Sequence, residues 1–428
     1  MHNETALVDL IAREVRPMTA EAFDTGRRRL MGSLRSERRR RIALRVAIGV
    51  WAIALVWLPV DLIWLRGATM LDLEVYRNGG LAWLRGIPLY VGFPGPLLSG
   101  PNLPFTYPPL AAVLFSVFAA IPLWLSRTLV TVVSFLALST VTVVVAGRLD
   151  KRLKWTLGPA AAVAALYFEP VGSTFGYGQV NLVLMALVVA DCLAVRRFRG
   201  VLVGLAAAIK LTPLVFIVYF LVTRDRRSAA TAVASFVGFA VIGLLLAPRD
   251  TVEFWFHAMV NPERITTLSI MTNESLRAEL YRLPALASVQ TLLWVVLAVL
   301  VLALAWRSAH RARNDVVALV AIAAAGLLVS PISWSHHWVW VVPALMAFGW
   351  TIWRDRAWRG LPLLLVACAV FCIGPPYGWL PSSADQELKW TVWQHIPGAA
   401  YVWLGLGLLA ALAFGRDRIG NARPGRGQ

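Results

Sequence analysis

RRFRGVLVGLAAAIKLTPLVFIVYFLVTRDRR, residues 196–227, decides how the rest of the chain is read. The apolar run from Gly200 to Thr223 is long enough to cross a bilayer, which takes about 20 predominantly apolar residues. Both of its ends are basic, with Arg196, Arg197 and Arg199 before it and Arg224, Arg226 and Arg227 after it. Basic clusters mark the cytoplasmic ends of spans, so one crossing does not fit. Lys210 and Pro213 stand in the middle. Proline breaks a helical ladder, and irregular backbone at membrane depth occurs where it lines a cavity. The stretch therefore reads as two half-helices meeting near Lys210, a membrane-embedded hairpin within a polytopic chain.

The same accounting extends outward in both directions. Towards the N-terminus, Val180–Val195, Thr156–Phe168 and Thr128–Gly147 read as spans. Glu169–Gln179 reads as an external loop, and Arg148, Lys151, Arg152 and Lys154 as a cytoplasmic link. Pro108–Leu125, interrupted by Pro122, is a short re-entrant or tilted piece, and Arg66–Tyr107 is a long external loop rich in Gly and Pro. Val46–Leu65 is the first span, a signal anchor oriented by the basic run from Arg27 to Arg41. Towards the C-terminus, Ser228–Ala247, Ser288–Trp306, Val316–Ile332, Trp338–Trp353, Gly360–Leu380 and Gly398–Phe414 read as spans, with Pro248–Ala287 a second large external loop. The expectation is an all-α membrane protein of about ten full spans plus two short embedded hairpins. It divides into a cytoplasmic basic segment, 1–45, a transmembrane domain, 46–414, and a basic tail, 415–428. Of the 41 Lys and Arg residues, 31 fall on the cytoplasmic side and nine outside, with Lys210 embedded. The Gly/Pro-punctuated polar segments all lie outside, so an active site should face the periplasm across the cell inner membrane.

Composition agrees. Hydrophobic residues make up 58% of the 428 positions, charged residues only 15%, and the mean hydropathy is +0.66. A soluble domain carries about 25% charged residues. The net charge of +18 does not point to nucleic acid, because the basic residues form short clusters between apolar runs with no stacking aromatics among them. Cys192, Cys368 and Cys372 lie in apolar segments and form neither a disulfide framework nor a metal-binding spacing. No internal repeat is visible.

Several polar groups could carry chemistry. Asp72 follows the first span directly, where partial desolvation makes a carboxylate more basic, as suits a general base. It could equally anchor the loop. Glu74 is two residues away, and the two carboxylates share a face on a strand but not on a helix. Tyr76 lies just beyond. Tyr107, in Leu103-Pro-Phe-Thr-Tyr-Pro-Pro109, could stack on a sugar or simply shape a turn. Glu169, Gln179 and Asn181 suit a hydroxyl-rich ligand, or capping. Lys210 at membrane depth is a functional candidate by default. It could bind phosphate, or pair internally with Asp191 or Glu169. Asn273 and Arg277 stand in a polar loop run, and His336 and His337 are adjacent at an outer helix start. Zinc lacks a third ligand at usable spacing, and nothing requires a metal or cofactor.

Seven segments recur in a telling order: Asp72-Leu-Glu-Val-Tyr76, Arg85-Gly-Ile-Pro-Leu-Tyr90, Pro104-Phe-Thr-Tyr-Pro-Pro109, Gly178-Gln-Val-Asn181, Lys210-Leu-Thr-Pro213, Asn273-Glu-Ser-Leu-Arg277 and Ser330-Pro-Ile-Ser-Trp-Ser-His-His337. Together they resemble the family-87 glycosyltransferases of actinobacteria, over about Asp72 to Trp340. One departure is Glu274, where the family is expected to carry Gln. The resemblance implies a GT-C membrane fold. It also implies a polyprenyl-phosphate-mannose donor lipid and a glycolipid acceptor: a phosphatidylinositol mannoside, lipomannan or lipoarabinomannan, commonly in α-1,2 linkage. With such a donor, Asp72 would serve as base, Lys210 with His336 or His337 would hold the phosphate, and Glu74, Tyr76, Tyr107, Glu169, Gln179, Asn181, Asn273 and Arg277 would meet substrate. Two other classes stay open. A lipid-sugar transporter or flippase should carry inverted repeats and several midplane charges. A related enzyme could use another lipid-phosphate sugar.

Overall fold

The computed structural model describes residues 20–91, 103–261, 268–372, 376–382 and 385–415, with side chains from residue 37 onward. The start of the basic N-terminal segment, most of the basic tail, and positions 92–102 and 262–267 of the two large external loops lie outside the described residues. One compact unit ends at Gly49 and a second begins at Val50. The packing and the site described below lie in the second.

The regular structure of the described residues is helical, with β pairing at a single isolated bridge, Asn273 to Trp334. In chain order the helices are α1 Ala20–Val60, α2 Leu71–Leu84, α3 Pro109–Ala119, α4 Leu123–Leu149, α5 Lys154–Ala164, α6 Glu169–Tyr177, α7 Asn181–Val189, α8 Val201–Ile209 and α9 Phe216–Val222. They continue with α10 Arg226–Leu246, α11 Pro248–Glu253, α12 Leu276–Tyr281, α13 Gln290–Arg311, α14 Asp315–Val329, α15 Val341–Arg354, α16 Leu361–Cys372, α17 His395–Gly398 and α18 Ala400–Phe414. Four described stretches are long and apolar enough to cross a membrane: Glu37–Leu65, Leu123–Leu149, Arg226–Leu246 and Gln290–Arg311. A fifth is added if α6 and the stretch Asn181–Ala194, bent by 119°, form one broken span. Among the described residues four or five stretches, fewer than the expected ten, have the length and composition of a span; α3, α14 and α18 are apolar but shorter.

Burial sorts these helices by what they face. α10 and α13 turn Val237, Leu245, Leu292 and Val299 outward, an apolar exterior suited to lipid. α14 is buried nearly all the way round through Ala318, Leu319, Ala321, Ala323, Ala325 and Leu328. A helix apolar on every face belongs in the centre, and small residues let its neighbours approach closely.

Three expected external loops carry helices, with α11 and α12 inside Pro248–Ala287. Residues 71–84 form α2 inside what reads as irregular loop. Its two glycines mark close approach, since a Cβ on Gly80 would meet the Ser116 backbone of α3 at 2.6 Å. Glu169–Gln179 is likewise the helix α6. It is opened by Pro170 in its first turn and closed by Gly178, whose φ of +67° a glycine adopts freely. The expected break does occur at Lys210. α8 stops at Ile209, Lys210 is extended (φ −149°, ψ 127°), and a 3-10 turn, Thr212–Val215, leads into α9.

Candidate active site

A cavity of about 690 Å³ lies between the start of α2, the Tyr107 turn, α6, the break at Lys210 and the turn Ser335–Trp340. Its wall carries Asp72, Tyr107, Glu169, Gln179, Lys210, His336 and His337. Residues spread over 266 positions of sequence thus meet in one space.

Asp72 stands in the first turn of α2, where the unpaired backbone amides favour an anion. Met70, just before the helix, is left-handed at φ +53°, a strained conformation for a side-chain-bearing residue. Gly178 packs against this start: a Cβ there would come within 2.9 Å of Leu73 and 3.1 Å of Met70. Its lack of a side chain lets the end of α6 pack directly on the start of α2. Burial pushes the Asp72 carboxyl up to about 6, against the opposing effects of a hydrogen bond from Gln179 and the charge of Lys210. Such a group is ionised at neutral pH and still basic enough to take a proton.

Lys210 is held by neither of the carboxylates the sequence offered it. Its ammonium donates to Asn181 Oδ1 at 3.0 Å and lies 3.0 Å from His337 Nε2. An ammonium cannot accept, so His337 accepts through Nε2 and is neutral. The Tyr107 ring lies 5.6 Å from the ammonium, within cation–π range. Asp191 instead accepts from the Gly200 and Val203 amides at 2.8 Å each, at the start of α8. Glu169 accepts from Ser173 at 2.6 Å, Ser335 at 2.9 Å and Tyr401 at 2.8 Å.

The histidine turn is fixed from two sides. The His336 carbonyl accepts from Thr174 Oγ1 and from Asn181 Nδ2, each at 2.9 Å, so Asn181 ties the turn to Lys210. The His336 ring faces the cavity beside Tyr177, with centroids 5.1 Å apart, and its Nε2 is buried without a hydrogen-bond partner. Burial, then the charge of Lys210, pushes that imidazole down to about 3. On the far side the segment Thr272–Ser275 zips onto Pro331–Ser335. Asn273 Oδ1 accepts from the Ser333 amide at 2.9 Å, the Glu274 amide donates to the Ser333 carbonyl at 2.8 Å, and the Ser335 amide donates to Thr272 at 2.9 Å. Arg282, fully buried, holds this segment through the carbonyls of Ser269, Ile270 and Asn273.

Five residues expected to meet substrate, Glu74, Tyr76, Asn181, Asn273 and Arg277, are therefore not on the cavity wall. Glu74 points away from it to Arg127, 3.3 Å distant, because two residues along a helix turn about 200°. Asn273 is buried in the zip. Arg277 stacks on the Trp294 ring at 4.9 Å and lines a separate small pocket with Tyr281, Gln290 and Thr291. Tyr76 lies behind the wall, hydrogen-bonded to Gln179. Asn181 lines an adjoining apolar groove with Met185, Phe216 and Trp340, which shares Lys210 and His337 with the cavity. Sequence reading did not find Tyr177, Tyr377 or Tyr401. Tyr177 was within reach through its glycine neighbours, whereas the other two are distant in sequence and sit among apolar residues.

The family model described as glycosyltransferase family 87 matches residues 105–331. The chain belongs to glycosyltransferase family 87. The matched residues take in Tyr107, Glu169, Gln179, Asn181 and Lys210 and leave Asp72, His336 and His337 outside. The chain is 39% identical over 360 residues to the polyprenol-phosphate-mannose-dependent alpha-(1-2)-phosphatidylinositol mannoside mannosyltransferase of Mycobacterium tuberculosis, covering 79% of this chain and 83% of that protein. It is 39% identical over 387 residues to the protein so named in Mycolicibacterium smegmatis, covering 82% and 86%. To the polyprenol-phosphate-mannose-dependent alpha-(1-2)-phosphatidylinositol pentamannoside mannosyltransferase of the same species it is 30% identical over 376 residues, covering 85% and 88%. No solved structure matches. Family membership makes this membrane-embedded helical chain a glycosyltransferase rather than a transporter or flippase.

Proposed function

We propose that the chain is an inverting mannosyltransferase. It moves mannose from polyprenyl-phosphate-mannose to a phosphatidylinositol mannoside, lipomannan or lipoarabinomannan acceptor, in α-1,2 linkage, on the periplasmic face of the inner membrane. The fold in this reading is GT-C-like, with about ten spans and two embedded hairpins, the second broken at Lys210. The observation that carries it is the division of one cavity into a base side, Asp72, and a cationic side, Lys210 with the histidine turn.

The chemistry follows from that division. The acceptor hydroxyl oxygen attacks the anomeric carbon of a β-mannosyl phosphate while the bond from that carbon to the phosphate oxygen breaks. Configuration inverts in this single displacement. The hydroxyl proton passes to Asp72. The electron pair leaves with the polyprenyl phosphate, a weak base that needs positive charge and hydrogen-bond donors more than a proton. Lys210 supplies the charge. His337 is engaged by Lys210, so His336, with Nε2 unpartnered, is the histidine that donates to phosphate. Glu169 and Tyr107 bind sugar hydroxyls and sugar face. The apolar groove that meets the cavity at Lys210 receives the first isoprenyl units.

The test is transfer by the purified protein from radiolabelled polyprenyl-phosphate-mannose to phosphatidylinositol mannosides, with linkage analysis of the product. An α-1,2-mannosylated glycolipid is expected. Transfer of a different sugar from its polyprenyl phosphate, with mannose inert, overturns the donor assignment.

A further inference from the structure

Gln179 is buried, 4% exposed, with its side chain between α2 and the Tyr107 turn. A glutamine amide has an acceptor end and a donor end, and its neighbours decide which points where. Tyr76 Oη donates to Gln179 Oε1 at 2.8 Å, and Tyr107 Oη lies 3.2 Å from the same oxygen. The two hydroxyls are 2.9 Å apart, and the Val180 amide donates to Tyr76 Oη at 3.4 Å. With its oxygen taken by tyrosine hydroxyls, the amide has its Nε2 left to donate, and Asp72, on the same cavity wall, is the carboxylate that Gln179 stabilises. No ion pair joins Asp72 to Lys210 among the described residues, since the lysine is held by Asn181 and His337.

We infer that Gln179 is a positioning residue for the reaction. Locked by Tyr76 and Tyr107, it fixes the Asp72 carboxylate with an N–H donor on one side and leaves the cavity-facing oxygen to take the proton of the acceptor hydroxyl. The inference rests on the reading of Asp72 as base. It removes Gln179 from the sugar-binding set and gives the buried tyrosine pair a task. Lys210, Tyr76, Tyr107 and Tyr177 are the charged and titratable groups that act on Asp72, with Glu169, His336 and His337 elsewhere on the cavity wall.

The experiment measures kcat and kcat/KM from pH 5 to 9 for purified Gln179→Glu, Gln179→Leu and Tyr76→Phe/Tyr107→Phe, with polyprenyl-phosphate-mannose and a phosphatidylinositol mannoside. Gln179→Leu removes a hydrogen bond that stabilises the ionised carboxylate, so the acidic limb moves up by about one pH unit, a tenfold change in ionisation constant. Gln179→Glu is nearly isosteric and sets two carboxylates to share a proton, so its limb moves further and kcat at pH 7 falls at least ~10-fold. Donor KM stays within about twofold in both, and the tyrosine pair shifts the limb part-way in the same direction. A wild-type limb in both Gln179 variants, whether or not kcat falls, overturns the positioning role. If Asp72→Asn keeps near-normal turnover, the base assignment itself fails, whatever Gln179 does. If Asp72→Asn is inactive while the Gln179 variants keep the wild-type limb, the present inference alone fails.

Discussion

α2 carries two carboxylates two residues apart, and the fold gives them opposite surroundings. Asp72 faces a cavity. Its neighbours are an amide donor and a lysine held by other groups, so the carboxylate is near positive charge without being paired to it. Glu74 is 4% exposed, paired with Arg127, and away from the cavity. The lesson is that a carboxylate keeps its reactivity when its cation is committed elsewhere. Paired directly, it becomes part of the packing.

The largest effect that bears on this contrast is expected at Asp72. Asp72→Asn keeps the shape and loses the proton acceptor, so turnover at saturating donor should fall at least ~10²-fold with expression and donor binding intact. In the wild-type protein the carboxyl sits near 6. Activity should therefore be full above about pH 7 and lost as pH falls through about 6 and the base becomes protonated. Near-normal turnover in Asp72→Asn breaks the comparison outright.

Lys210→Met is expected to come second. It removes the charge that meets the leaving phosphate while keeping the apolar stem, so kcat/KM for the donor should fall about 10-fold or more, the worth of one charge-assisted hydrogen bond. The acidic limb should also move up, because the lysine charge helps to keep Asp72 ionised. Unchanged donor kinetics would leave Lys210 with a structural task only.

Glu74→Gln should be the mildest for catalysis. It keeps an acceptor for Arg127 but loses the ion pair, so the rate should stay within about threefold while stability drops by about 1–2 kcal/mol. That is less than for a fully buried pair, since the Arg127 side chain is 20% exposed. Thermal unfolding in detergent, read beside activity, separates the two. A rate loss larger than that of Asp72→Asn would move the base to Glu74.

The same contrast measures how far the sequence was legible. The break at Lys210 could be read from two basic clusters around an apolar run with a proline in it, and α8 and α9 meet there. The helices α2 and α6 were hidden, because Gly and Pro punctuate them. Gly80 and Gly178 serve close approach, and Pro170 occupies a first turn where a proline belongs. Once α2 is known to be a helix, the parting of Asp72 and Glu74 follows from periodicity. Asn273 to Arg277 and Ser333 to His337 look alike in sequence as polar runs after apolar ones. One lines the cavity and the other fastens it, a difference that no local pattern encodes.

What the sequence determined by itself was the class of molecule and the list of chemical groups. Hydropathy and basic clusters act residue by residue against a bilayer, and the order of the motifs places the chain in its family. What only the tertiary structure decided was which groups meet and which way they point. Gln179 receives its proton donor from Tyr76, 103 positions away, Lys210 finds His337 across 127, and Asn273 holds Ser333 across 60. Hydrogen bonds are directional and short-ranged, so the role of each polar side chain is set by the partners folding brings within about 3 Å, not by its neighbours along the chain.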